Sequence, residues 1–132
     1  MEYRKYGNTE VKVSSIGLGC VTFGREIDEE TSFAILDHAI DRGINILNTA
    51  YAYGDGSSEQ VMGNYFSIRN NRDKVVIVTK VHGDLSPKTI FNCAEESLLR
   101  LKTDYVDFFE IGYDVNTPFQ DTLEALEKLV KE

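Results

Sequence analysis

The chain is expected to be an α/β domain: a short β-hairpin followed by four strand-plus-helix units that share a parallel sheet. Three observations lead there. β-rich runs alternate with helix-period runs along the whole chain. Val75-Val76-Ile77-Val78 is a continuous β-branched run of the kind found in a strand covered on both faces. Recognisable helix starts follow the strand runs. Strands alternating with helices pair in parallel through right-handed crossovers. Periodicity alone leaves open whether the units form a doubly wound sheet or half of a barrel.

The hairpin is read from Glu2-Tyr3-Arg4-Lys5-Tyr6, a Gly7-Asn8 turn and Val11-Lys12-Val13. Ile16-Gly17-Leu18-Gly19 is the first strand of the repeating units. Asp28 caps a helix that runs to Arg42, with Gly43 as its stop and Leu36, Ala39 and Ile40 as its buried stripe. Ile44 to Leu47 forms the next strand and Ser57 to Phe66 the next helix. Lys74 to Lys80 is the third strand. Ser86-Pro87 starts the third helix, whose apolar positions are Ile90, Ala94, Leu98 and Leu101. Tyr105 to Ile111 is the fourth strand. Thr117-Pro118-Phe119-Gln120 reads as a capping box opening a last helix with Leu123, Leu126, Leu129 and Val130 on its apolar face.

The 132 residues carry no linker or low-complexity segment, so residues 1–132 are read as one domain. A formal charge of −8 and a pI near 4.8 argue against nucleic acid or an anionic membrane as partner and leave a small-molecule ligand. No apolar run approaches the ~18 residues of a membrane helix, and Met1-Glu2-Tyr3-Arg4 does not open a signal peptide. Two cysteines, Cys20 and Cys93, without a secretory signal fit reduced thiols in the cytoplasm. Two histidines without clustered carboxylates give no metal signature.

In parallel α/β folds, ligands bind at the carboxyl ends of the strands. The polar residues expected there are Cys20 after Gly19, Asn48 with Tyr51 and Tyr53, Lys80 with His82, and Gly112-Tyr113-Asp114. Lys80 closes a core strand, where its ammonium needs a partner.

Asn48-Thr49-Ala50-Tyr51-Ala52-Tyr53-Gly54-Asp55-Gly56-Ser57-Ser58-Glu59 resembles the aldo-keto reductase signature, which reads D-T-A, then Y-G, then S-E. Gly17-Leu18-Gly19, Thr22-Phe23-Gly24, Val78-Thr79-Lys80-Val81, Ser97-Leu98-Leu99-Arg100-Leu101, Thr103-Asp104-Tyr105-Val106-Asp107 and Thr117-Pro118 match it in order along almost the whole chain. The resemblance implies an N-terminal hairpin followed by half of a (β/α)8 TIM-type barrel. It also implies that Tyr53 and Lys80 are the tyrosine and lysine of a catalytic Asp-Tyr-Lys-His set. The tyrosine gives a proton to a carbonyl, and the lysine's charge stabilises the phenolate left behind. Asn48 stands at the aspartate position and Gly112 at the histidine position. His82, two residues after Lys80, could stand in for that histidine; a solvated loop position is the plainer reading. Cys20, His82, Gly112 and Tyr113 are taken with Asn48 as pocket residues.

In this resemblance most of the cofactor site belongs to the second half of the barrel. The expectation for the chain alone is therefore no cofactor, with NADPH only if a reductase reading holds. Retention of Tyr53 and Lys80 favours a non-redox enzyme of isomerase, lyase or cyclase type using a Tyr/Lys acid-base pair. Asn48 also leaves Lys80 without a counterion, so the lysine could form a Schiff base with a carbonyl. The alternatives are an NADPH-dependent aldehyde or ketone oxidoreductase, or an impaired fragment of one, and a noncatalytic binding module or pseudoenzyme. Open sheet edges and an uncovered apolar inner face lead to the expectation of a homodimer that completes the barrel.

Overall fold

A computed structural model describes all residues, Met1 to Glu132. The hairpin consists of β1 (Tyr3–Lys5) and β2 (Lys12–Ser14), paired antiparallel with Arg4 opposite Val13. Then come β3 (Leu18–Gly19), α1 (Glu29–Asp41), β4 (Ile46–Asn48), α2 (Ser57–Arg69), β5 (Val76–Val81), α3 (Pro87–Leu101), β6 (Phe108–Ile111) and α4 (Phe119–Lys131). A single 3-10 turn, Arg72–Lys74, precedes β5. The parallel sheet has the order β3-β4-β5-β6, with Leu18 beside Leu47, Leu47 beside Ile77 and Val78 beside Phe108. This is the expected hairpin and four βα units.

The strands are shorter than the apolar runs suggested. The chain before β4 and β6 is spent on hydrogen bonds outside the ladder: Ile44 N–H closes the end of α1 on Ala39, and Asp107 accepts from Arg72 and from the Ile77 amide. By contrast α2 runs three residues past Phe66, to Arg69, and stops where Asn70 turns left-handed at φ 50°.

Helix starts follow the local chemistry. Asp28 accepts from Thr31 N–H at 2.8 Å and caps α1, and Ser86 accepts from Thr89 N–H ahead of Pro87 in α3. The capping box at Thr117 does not form. Pro118 is the N-cap of α4 without a side-chain bond, because the Thr117 hydroxyl donates to Asp114 instead. Asp114 also accepts from the Leu85 and Asn116 amides, at 3.0 and 2.8 Å, tying the loop after β5 to the loop after β6. These bonds, that from Thr117 foremost, hold its carboxyl down to about 2. The face α4 buries is also a correction: Thr122 and Ala125 are buried and Leu126 and Leu129 half-buried, whereas Leu123 and Val130 are exposed. In α1, Leu36 and Ala39 are buried and Ile40 is half-buried.

The main core lies between the sheet and α1, α2 and α3, with Leu36, Leu47, Met62, Tyr65, Ile77 and Leu101 at its centre. A smaller cluster of Val81, Leu85, Ile90 and Ala125 lies under α4. Gly63 is where α2 and α3 touch: a Cβ there would stand 2.1 Å from the Arg100 carbonyl oxygen, so only glycine allows the approach.

The hairpin covers the amino ends of the strands. Asn45 accepts from Ser14 N–H and donates to the Lys12 carbonyl, and Tyr6 stacks on Phe108 with ring centroids 4.1 Å apart. The inner face of the sheet is better covered than expected. Val76 and Val78 are buried, and Ile46, Asn48, Phe108 and Glu110 are half-buried. β3 and β6 have no further strand beside them.

Candidate active site

Successive strand residues face opposite sides of a sheet. Ile77, Thr79 and Val81 therefore share one face of β5, and Thr79 reaches α2 through a 2.6 Å bond to Glu59. Val78 and Lys80 share the other, inner face. Lys80 emerges at the carboxyl end of β5, at the opposite end from the hairpin.

Three acceptors converge on the Lys80 ammonium: Asn48 Oδ1 at 2.5 Å, the Thr49 carbonyl at 2.9 Å and the Tyr53 hydroxyl at 3.1 Å. The ammonium lies 4.7 Å from the centre of the Tyr53 ring. Asn48 is the last residue of β4, paired with Val78, so its side chain and that of Lys80 meet across neighbouring strands. Tyr53 comes from the turn that follows, held by its amide to the Ala50 carbonyl at 3.1 Å. Lysine supplies three donors and no acceptor, and all three are used here. A phenol bonded to a fixed ammonium can release its proton to a neighbouring acceptor while the ammonium stabilises the phenolate. Asn48 accepts one bond from Lys80 without adding negative charge, and Lys80 forms no ion pair, although Glu110 is its register partner on β6.

A buried ionic group behind the site holds the two helices and β5 together. Glu59 on α2 has no solvent exposure; its carboxylate accepts from Thr79 Oγ1 at 2.6 Å and from Arg100 Nε at 2.7 Å. The Arg100 guanidinium also lies 4.8 Å from the centre of the Tyr51 ring. Thr79 immediately precedes Lys80, so this group fixes the strand that carries the lysine. Thr49 and Ser58 share a further buried bond of 2.8 Å, and the Ser58 hydroxyl bonds the Cys20 carbonyl at 2.7 Å. Neither the Thr49 carbonyl nor the Glu59 group was among the sequence-derived candidates. The Ser58-Glu59 pair in the aldo-keto-reductase-like segment is the one sequence signal that touched Glu59.

The other expected pocket residues fare differently. Cys20 is fully buried in the main core, and burial pushes its thiol up to about 12. It packs as a small apolar side chain rather than facing a ligand. Tyr113 is 85% exposed and makes no bond to the Lys80 group. Gly112 continues the ladder, its amide donating to the Val81 carbonyl at 2.8 Å, and His82 lies against it. Two concavities lie elsewhere: one is lined by Arg72, Leu98 and Tyr105, the other by Phe108, Leu126 and Leu129. Asn48, Tyr53 and Lys80 are each half-buried. No three His, Cys, Asp or Glu side chains come together as metal ligands.

A dinucleotide needs cations or free amides for its phosphates. Lys80 is already engaged by Asn48 and Tyr53, and Arg100, behind the sheet, by Glu59. The residues of this chain therefore do not by themselves fit a nicotinamide dinucleotide.

Comparison with known proteins adds the relatives. The model of the Aldo/keto reductase family matches residues 15–132. The chain is 35% identical over 144 residues to the uncharacterized oxidoreductase YqkF of Bacillus subtilis, covering 100% of this chain and 46% of that protein. It is 34% identical over 143 residues to the aldo-keto reductase YhdN of the same organism, covering 98% of this chain and 43% of that protein. Among solved structures, an aldo-keto reductase from Bacillus halodurans in its holo form superposes with a TM-score of 0.91 at 32% identity, over 99% of this chain and 47% of that one. An aldo-keto reductase from Klebsiella pneumoniae in complex with NADPH superposes with a TM-score of 0.83 at 37% identity, over 91% and 42%. The chain spans a little under half the length of these relatives, which identifies the four βα units as half of a barrel. With the family model matching residues 15–132 and relatives of 34–35% identity covering almost the whole chain, the chain belongs to the aldo/keto reductase family.

Proposed function

We propose that this chain supplies the proton-handling half of an oxidoreductase acting on aldehydes or ketones with NADPH. One observation carries the reading: the Lys80 ammonium is bonded at once to Tyr53 OH, Asn48 Oδ1 and the Thr49 carbonyl, which orients the tyrosine as a proton donor. The relatives favour oxidoreductase chemistry over the isomerase, lyase or cyclase reading, which none of them supports. A noncatalytic module would have no need to keep a charged lysine on a phenol.

Tyr53 donates its hydroxyl proton to the oxygen of a carbonyl undergoing reduction, and Lys80 stabilises the resulting phenolate. The chain's own residues account for this proton and not for the reducing equivalent. Asn48 anchors the ammonium, and the Thr49 carbonyl fixes it from the main chain, so Lys80 keeps its place without a carboxylate. Cys20 and Cys93 are both free, and no helix is long and apolar enough to cross a membrane; the free thiols support a reducing, cytoplasmic setting.

The test joins this chain to the second half of the Klebsiella pneumoniae relative that holds NADPH and follows NADPH oxidation with 4-nitrobenzaldehyde by loss of NADPH absorbance. Tyr53→Phe should lower kcat/KM by ~100-fold or more, the scale of a lost general acid. Wild-type rates in Tyr53→Phe, or no carbonyl-dependent oxidation by the joined protein, overturn the reading.

A further inference from the structure

The inner face at the carboxyl end of β5 holds one histidine with no partner. Val81 lies beside Ile111 in the ladder, and the Gly112 amide bonds the Val81 carbonyl, so His82 and Gly112 are the next pair in register. By the two-residue period of a strand, both lie on the face of Lys80 rather than that of Thr79. A Cβ placed on Gly112 would stand 2.6 Å from His82 Nδ1 and 3.4 Å from its Cγ. The imidazole thus occupies the space that any side chain at position 112 would take. Gly112 has a negative φ, so no backbone requirement calls for glycine there; the ring is what needs the space. His82 is exposed, and the chain's own side-chain bonds around it run from Lys80 to Tyr53 and from Leu85 to Asp114 without including its ring nitrogens.

A carbonyl oxygen that takes a proton from one donor is oriented and stabilised by a second donor beside it. Tyr53 is the first donor. We infer that His82, seated over Gly112, is the second: its outward ring nitrogen, Nε2, donates to the carbonyl oxygen of an aldehyde or ketone substrate while Nδ1 faces Gly112. The imidazole is therefore supplied by the residue after β5, in the place left by the missing side chain at the end of β6. This rests on the carbonyl-reduction reading above. It adds a substrate-contacting residue to it and requires position 112 to stay without a side chain.

The experiment uses single and paired variants in the 4-nitrobenzaldehyde assay together with NMR of the histidine ring signals. His82→Ala should lower kcat/KM by about tenfold to a hundredfold, the scale of one lost transition-state donor. Gly112→Ala, which drives the ring off its seat, should lower it similarly. The pair His82→Gly with Gly112→His returns an imidazole to the same space from the other strand and should recover most of the loss, which a merely structural role for His82 would not allow. Titration of the parent protein with 4-nitrobenzaldehyde should shift the His82 ring signals and leave those of His38 in place. Activity within about twofold of the parent in His82→Ala, with Tyr53→Phe inactive, overturns this inference and leaves the carbonyl reading standing. If Tyr53→Phe is equally active, the carbonyl reading fails and the role of His82 with it. Should His82→Ala not fold, unmoved His82 ring signals in a titration that shifts Tyr53 overturn the inference.

Discussion

Removing Arg100 tests the buried ionic group that fixes β5. Glu59 is 0% exposed and Arg100 19%, and the carboxylate has two side-chain donors, Thr79 at 2.6 Å and Arg100 at 2.7 Å. Arg100→Met leaves a fully buried carboxylate with one neutral donor, a situation that costs ~3–5 kcal/mol. Glu59→Gln keeps an acceptor for Thr79 and leaves behind a guanidinium that water can reach, so it should cost less, ~1–3 kcal/mol. Thr79→Val removes one hydrogen bond to a charged group, ~1.5–3 kcal/mol. The double variant Glu59→Gln with Arg100→Met contains no stranded charge and should be more stable than the sum of its singles predicts. Urea unfolding followed by circular dichroism reads all four. With a slope of ~2 kcal/mol per molar urea, Arg100→Met should lower the midpoint by ~2 M, a large part of a domain stability of ~5–15 kcal/mol. The reasoning is refuted if Glu59→Gln costs more than Arg100→Met, or if the double variant is simply additive.

Asn48→Asp places a carboxylate beside the Lys80 ammonium in a half-buried setting and should stabilise the fold by ~1 kcal/mol at neutral pH, read as a rise of a few degrees in Tm; an unchanged or lower Tm refutes it. Cys20 has a folded-state value of about 12 against an ordinary 9, raised by burial, so the unfolded chain loses this proton first. Its contribution to stability is complete below pH 9 and falls away as pH climbs toward 12, and Cys20→Ala should show a shallower decline in unfolding free energy over that range. At pH 8, iodoacetamide should modify half-buried Cys93 first and Cys20 only on unfolding; mass spectrometry showing equal labelling contradicts this. Two copies of this chain are proposed to cover each other's open strands β3 and β6, giving twice the one-chain mass by light scattering at micromolar concentration; a single-chain mass refutes it.

Much of this architecture was legible in residue order. Asp28, Ser86 and Pro87 announce α1 and α3 because capping is chemistry between neighbours in sequence, and the β-branched run at Val75–Val78 marks the central strand. Tyr53 and Lys80 were legible as a pair only through motif order, since the turn that carries the phenol back over β5 has no periodicity to read. Thr117 shows the limit of local signals: its hydroxyl had an equally good acceptor in Asp114, and only tertiary placement decides between cap and loop. The exposed Leu123 and Val130 show the same limit, because helical spacing defines a stripe and not how much of it the neighbouring layer covers. Glu59 was read as part of a motif, but its two donors come from 20 and 41 residues away. The missing side chain at Gly112 was legible through the resemblance, but that the His82 ring takes its space depends on the register of β5 with β6 and on the loop rotamer, which no sequence pattern carries.

Strand order in the sheet is also chain order, and each parallel pairing joins residues about thirty positions apart. No strand waits for a distant partner. As the chain leaves the ribosome, β4 can dock on β3 before β5 is made, and β5 on β4 before β6. Each step closes a loop of nearly the same length, at nearly the same entropic cost. Growth by addition at one edge leaves β3 as the fixed edge throughout and moves the other edge from β4 to β5 to β6.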